Sequence, residues 1–180
     1  MSEDALPDLP DAGTGTDIAA DPGKRLTPMQ LKNAARLAAV QALYQMDLTQ
    51  APSKSVVFEF QNHRFGHEDE PGYTQADERF FELLVTGVVA HQSEIDAAVS
   101  QRLSERWRLS RLDRTLRAIL RCATYELLHH PEIPAATTLD QYVTLAADFF
   151  DAKQAGFVNA VLDRTARELR EAEMTPTNPK

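Results

Sequence analysis

Cysteine is nearly missing. The single Cys122 in 180 residues excludes an internal disulfide and a metal centre built from cysteines. It stands one residue before the core position Ala123, which marks it as a small buried thiol rather than a nucleophile. No apolar run reaches the roughly 18 residues that span a bilayer. The first residues carry neither the basic nor the apolar segment of a secretory leader, so a cytoplasmic protein with no membrane partner is expected. Glycine is sparse, at seven residues, and none falls into a phosphate-binding loop or a dinucleotide fingerprint. Period-two alternation and Asn-Gly turns are also missing, so no strands are expected. Nothing local suggests a Ser-His-Asp or Cys-His constellation. His63 and His67 stand four apart, a two-ligand edge with no third ligand implied. His129-His130-Pro131 reads as groups favoured at a helix C-terminus. The expectation is a protein without catalysis, cofactor or metal.

Charge of one sign is concentrated rather than spread. The net charge is −8, and residues 1–23 hold Glu3, Asp4, Asp8, Asp11, Asp17 and Asp21 with no Lys or Arg. That stretch has few large apolar groups and cannot bury enough surface to offset its ordering entropy. Residues 1–26 are therefore read as a disordered acidic extension, 27–173 as one helical domain and 174–180 as a flexible tail. In the opposite sense, Arg102 to Arg121 holds seven arginines against Glu105 and Asp113. Charge in blocks says more about partners than the sum does.

What remains is strongly helical. Thr27-Pro28-Met29-Gln30 combines an N-cap, a first-turn proline and a capping-box glutamine, opening a helix to about Leu48. A second helix covers SVVFEFQNHRF, and a third opens at Thr74 with Phe80, Phe81, Leu84, Val85 and Val88 inward. Gly87 inside it costs about 1 kcal/mol against Ala, which points to close helix packing there. Ser93 is expected to cap a fourth helix, SEIDAAVSQRLSERW. The organising helix is RLDRTLRAILRCATYELLHH. Its Leu112, Leu116, Ile119, Leu120, Ala123 and Leu127 form one apolar stripe. Arg111, Arg114, Arg117 and Arg121 line another face, with Ser110 and Asp113 as capping residues. A helix near Thr138 to Phe150, a DAKQ loop and a final helix GFVNAVLDRTARELREAE complete an all-α chain of about seven helices. Basic clusters near helix starts suit phosphates, and exposed aromatics suit unpaired bases. Tyr44 and Phe157 are candidates for stacking, although both also sit at core-like spacing.

Five words of the sequence carry a resemblance. ARLAAVQALY (Ala35 to Tyr44), LLVTGV (Leu83 to Val88), ILRCATYELL (Ile119 to Leu128), IPAATTLDQYVTLA (Ile133 to Ala146) and FVNAVLD (Phe157 to Asp163) resemble the NusB family in order and spacing. The similarity covers roughly Leu31 to Arg170. It implies two packed helical bundles and no catalysis. It also implies transcription antitermination: binding of boxA-like single-stranded RNA of ribosomal RNA transcripts, jointly with the small-subunit ribosomal protein NusE, within an RNA polymerase antitermination complex.

Carried over by position, the resemblance places Lys32, Arg36, Tyr44, Arg121 and Phe157 along an RNA groove between the bundles. Lys153 joins them on charge alone. This chain departs from the family pattern in offering only Lys32 and Arg36 in its first helix before Leu37. It also has Gln141 and Ala147 where Glu and Lys are common. Each missing phosphate contact lowers affinity and its salt slope. Two other readings stay open. One is a helical module that binds the ribosomal protein but has lost RNA binding. The other is a relative of the N-terminal domain of ribosomal RNA cytosine methyltransferases, whose α/β domain and catalytic Cys this sequence does not contain. A further hypothesis is that the acidic extension competes with RNA for the neighbouring basic surface. Deleting residues 1–23 should then tighten RNA binding, and unchanged affinity would refute it.

Overall fold

A computed structural model describes residues 25–66 and 74–175. The acidic extension as far as residue 24, His67 and the last five residues lie outside the described residues. Seven helices carry the fold: α1 (Pro28–Thr49), α2 (Ser53–His63), α3 (Glu78–Ala90), α4 (Gln92–Arg102), α5 (Arg114–His129), α6 (Ala135–Phe149) and α7 (Ala152–Leu169). A 3-10 turn, Leu109–Arg111, precedes α5, and a single-turn α8 (Glu171–Met174) follows α7. Among the described residues there is no strand, only one isolated bridge between Phe65 and Thr74. The all-α expectation holds.

Local chemistry sets the helix starts. Thr27 Oγ1 accepts from the Gln30 amide at 3.2 Å while Gln30 Oε1 accepts from the Thr27 amide at 2.8 Å. This is the reciprocal cap expected from the sequence. Elsewhere a carboxylate wins the position. Asp113 accepts from the Thr115 and Leu116 amides at 2.8 and 3.2 Å, so α5 starts at Arg114. Ser110, expected as its cap, lies in the 3-10 turn instead. Asp77 caps α3 through the Phe80 amide at 2.9 Å, in place of Thr74. Asp151 caps α7 through the Gln154 amide at 2.9 Å, which turns the expected DAKQ loop into the first turn of a helix. A carboxylate also favours the positive end of the helix dipole, an advantage a hydroxyl lacks. The fourth helix ends at Arg102, leaving Leu103 to Arg108 as a non-helical connection, although the sequence pattern carries it to Trp107.

Packing falls into two groups that share α5. Helices α1, α2 and α3 pack on one another, α4, α6 and α7 surround the other side, and α5 touches α1, α3, α4, α6 and α7. Its apolar stripe from Leu112 to Leu127 is buried throughout. Phe60, Phe65 and Phe81 form an aromatic cluster in the first group, with Phe60 and Phe81 stacked at 5.3 Å. Gly87 serves the contact between α3 and α5. A Cβ there would stand 2.0 Å from Tyr125 Cζ, so the aromatic ring occupies the space a side chain would need. Cys122, on the inner face of α5, is wholly buried, and burial raises its thiol pKa, as suits an inert thiol.

Candidate nucleic-acid interface

The two cations of the first helix have different surroundings. Arg36 is 2% exposed. Its Nε and Nη2 donate to Glu126 of α5 at 3.0 and 2.6 Å, and Nη1 donates to Asn33 at 2.7 Å. Thr138 of α6 donates to the same carboxylate at 2.9 Å. Burial alone lowers the Arg36 pKa, but the hydrogen bond and charge of Glu126 outweigh it and raise the guanidinium above its ordinary value. A fork this deeply paired joins α1, α5 and α6 and does not reach solvent. That is a correction to its expected place on an RNA surface: the small Ala35, Ala38, Ala39 and Ala42 let α1 approach closely, and the arginine goes inward with the helix. Lys32, one turn earlier, is part-exposed. It pairs with Asp77 at 3.3 Å and lies 4.1 Å from the Phe80 ring centroid.

The three arginines of α5 also have carboxylate partners. Arg114 and Arg117 share Asp47 of α1 at 3.0 and 2.7 Å. Arg121 grips Asp96 of α4 through two bonds of 2.7 and 2.8 Å. Arg102 adds a further ion pair with Glu168. Of the seven arginines between 102 and 121, Arg106, Arg108 and Arg111 therefore remain without a carboxylate partner among the described residues, and all three are exposed.

Two of these cations, Arg106 and Arg108, flank an aromatic residue in the chain. Trp107 is 52% exposed and leans on Phe157 of α7 at 5.4 Å between ring centroids. A turn closed by the Trp107 amide on the Ser104 carbonyl at 2.8 Å holds it there. Arg117 steadies the next stretch by donating to the Leu109 and Ser110 carbonyls. Trp107 and Arg108, together with Arg117, Arg121, Asp47 and Asp96, line an open groove of about 760 Å³. Lys153, exposed in the first turn of α7, lies one helical turn before Phe157.

The expected site residues thus divide. Arg121 lines this groove, Phe157 adjoins it through its contact with Trp107, and Lys153 lies one turn before Phe157 on α7. Tyr44 is 38% exposed on the same α1 face as Asp47, three residues on. Lys32 lies twelve residues from Tyr44, roughly 18 Å along α1, and Arg36 is interior. Trp107 was not singled out from the sequence, although an aromatic between two arginines, Arg106-Trp107-Arg108, was the available signal. As to metals, the described residues contain one group of three close ligands, His91, Glu94 and His129. No helix among them is long and apolar enough to cross a membrane.

The sequence and fold both have close counterparts. The sequence model of the NusB family matches residues 33–167. The transcription antitermination protein NusB of Maricaulis maris is 47% identical over 145 residues, covering 80% of this chain and 91% of that protein. Its namesake in Sphingopyxis alaskensis is 45% identical, covering 78% and 95%. Among solved structures, T. maritima NusB superposes with a TM-score of 0.64 at 28% identity, covering 81% of this chain and 94% of that one. A crystal structure of the antitermination factors NusB and NusE in complex with dsRNA gives 0.64 at 25% identity, covering 76% and 96%. With the family's match spanning most of the folded chain and its fold shared with solved NusB structures, this chain belongs to the NusB family.

Proposed function

We propose that this chain is a non-catalytic transcription antitermination factor that binds RNA at the α4–α5 groove together with a NusE-type ribosomal protein. Its expected RNA is a boxA-like element of ribosomal RNA transcripts, which places its work in the cytoplasm. The observation that carries the reading is the exposed Trp107 leaning on Phe157, with Arg108 lining the same groove, exposed Arg106 next to it in the chain and Lys153 one turn before Phe157 on α7. Bases stack on exposed aromatic faces, and unpaired cations collect the backbone without first giving up a carboxylate. Arg121 and Tyr44 are proposed at the margin of this surface and Lys32 at its far end. The relatives' shared role and the NusB–NusE–RNA complex formed by a structural neighbour support the same reading.

Fluorescence anisotropy of a labelled boxA-like RNA, single-stranded and as a duplex, at two salt concentrations and with and without the ribosomal protein, tests it. Binding should weaken with salt and strengthen with the protein partner. Trp107→Ala should cost about tenfold, the scale of one lost stacking contact at about 1–3 kcal/mol, while leaving helicity unchanged. A second reading, a ribosomal-protein module without RNA binding, draws on the internal pairing of Arg114, Arg117, Arg121 and Lys32. Capture of the ribosomal protein with RNA ignored in every combination would establish it instead.

A further inference from the structure

Apart from the groove, the joint between α3 and α4 gathers three side chains of metal-ligand type. His91 lies between the two helices, Glu94 is in the first turn of α4, and His129 is the last residue of α5. Glu94 Oε2 is 3.3 Å from His91 Nδ1 and 3.3 Å from His129 Nε2. The three ligand atoms all lie within 4.8 Å of one another. Charge-assisted hydrogen bonds between these groups would close to about 2.7–2.9 Å. A tetrahedral zinc ion with bonds of about 2.0–2.2 Å instead separates its ligand atoms by roughly 3.4 Å. Two of the three edges already have that length. The remaining nitrogen–nitrogen edge lies within 4.8 Å, and the His91 side chain, 43% exposed, has room to turn toward a shared ion.

The His129 ring is also set in place before any ion arrives. The imidazoles of His91 and His129 stand 4.2 Å apart between centroids, and Tyr125 stacks on His129 at 4.9 Å. Tyr125 is itself seated in the space that Gly87 leaves open. A ligand whose ring is held by its neighbours loses less entropy on binding. Two imidazole nitrogens and one carboxylate oxygen form a borderline donor set that suits zinc, and three protein ligands leave a fourth position for water or an added ligand.

We propose that His91, Glu94 and His129 form a zinc site that clamps the α3–α4 joint to the C-terminal end of α5. The site makes no use of the RNA groove, so it stands or falls independently of the antitermination reading. Zinc bound there links the helix that both groups share to the joint between α3 and α4, and it stabilises the folded chain by mass action.

The test uses the full chain without a histidine tag, freed of metal by chelation and dialysis. Zinc is titrated by calorimetry, and cobalt serves as a visible probe of coordination. One equivalent should bind saturably, with cobalt giving the intense bands of a four-coordinate ion. At zinc a hundredfold above Kd, Tm should rise by roughly 5–10 °C. Glu94→Gln and His129→Gln should each weaken zinc binding at least tenfold while leaving the metal-free Tm within a few degrees. His63→Gln and His130→Gln should leave binding as it was. No saturable binding in the unaltered chain overturns the proposal. So does binding that survives His129→Gln and Glu94→Gln, or that is lost with His63→Gln.

Discussion

Arg36 and Arg121 are the same kind of residue, in helices that touch, and each ends in a two-point grip on a carboxylate. The Arg36–Glu126 pair has side chains 2% and 0% exposed, whereas Arg121–Asp96 stands at 18% and 29%. The first pair is sealed by Asn33 and Thr138 and lies against the Phe80 and Tyr142 rings. Water cannot replace either partner, so the pair is a structural joint whose removal leaves a buried charge. The second opens on a groove where water, salt or a phosphate can compete for the guanidinium. Burial, rather than bond length, separates a joint from a binding group.

Breaking the buried pair should have the largest effect. Glu126→Ala or Arg36→Ala should destabilise the fold by about 3–5 kcal/mol, read by urea denaturation. Any loss of RNA binding by Arg36→Ala should then track the unfolded fraction. A normal stability with selective loss of RNA affinity would make Arg36 a direct contact instead. The apolar counterpart on the same α5 seam is Gly87. Gly87→Ala should cost about 1–3 kcal/mol, as overpacking does, because the Tyr125 ring must leave its seat. The sharpest contrast comes from the groove. Asp96→Asn should lower stability by only about 1 kcal/mol, in keeping with a pair that water reaches. It should also raise RNA affinity by about three- to tenfold, with a salt dependence steeper by about one phosphate contact. Equal destabilisation by Asp96→Asn and Glu126→Ala would remove the distinction drawn between the two pairs.

Much of the architecture was legible from residue order. The Thr27–Gln30 capping box, the stripe from Leu112 to Leu127 and the close approach at Gly87 each rest on one local rule, and local rules survive folding. The misplaced starts of α3, α5 and α7 share a cause. A nearby Ser or Thr, or a loop-like word, was preferred to the Asp that captures the first free amides. The candidate site was harder to read. Arg121 and Phe157 entered the proposed site through family words, and Lys153 through its charge. Trp107 passed unnoticed because its neighbours in sequence point to a helix that the chain leaves at Arg102. The ring it leans on, Phe157, is fifty residues away.

By itself, then, the sequence determined the helical class, the order of elements and the membership of a family, because capping, periodicity and composition act within one or two turns. Tertiary structure alone decided which arginines are buried joints and which open on the groove. Pairing Arg36 with Glu126, Arg117 with Asp47 and Arg121 with Asp96 depends on how closely α1, α4 and α5 approach. The same holds for His91, Glu94 and His129, distributed over two stretches of chain and brought to one point only when α5 ends beside the α3–α4 joint. A charged side chain takes its role from the dielectric and partners around it, and those are properties of packed helices rather than of any one segment.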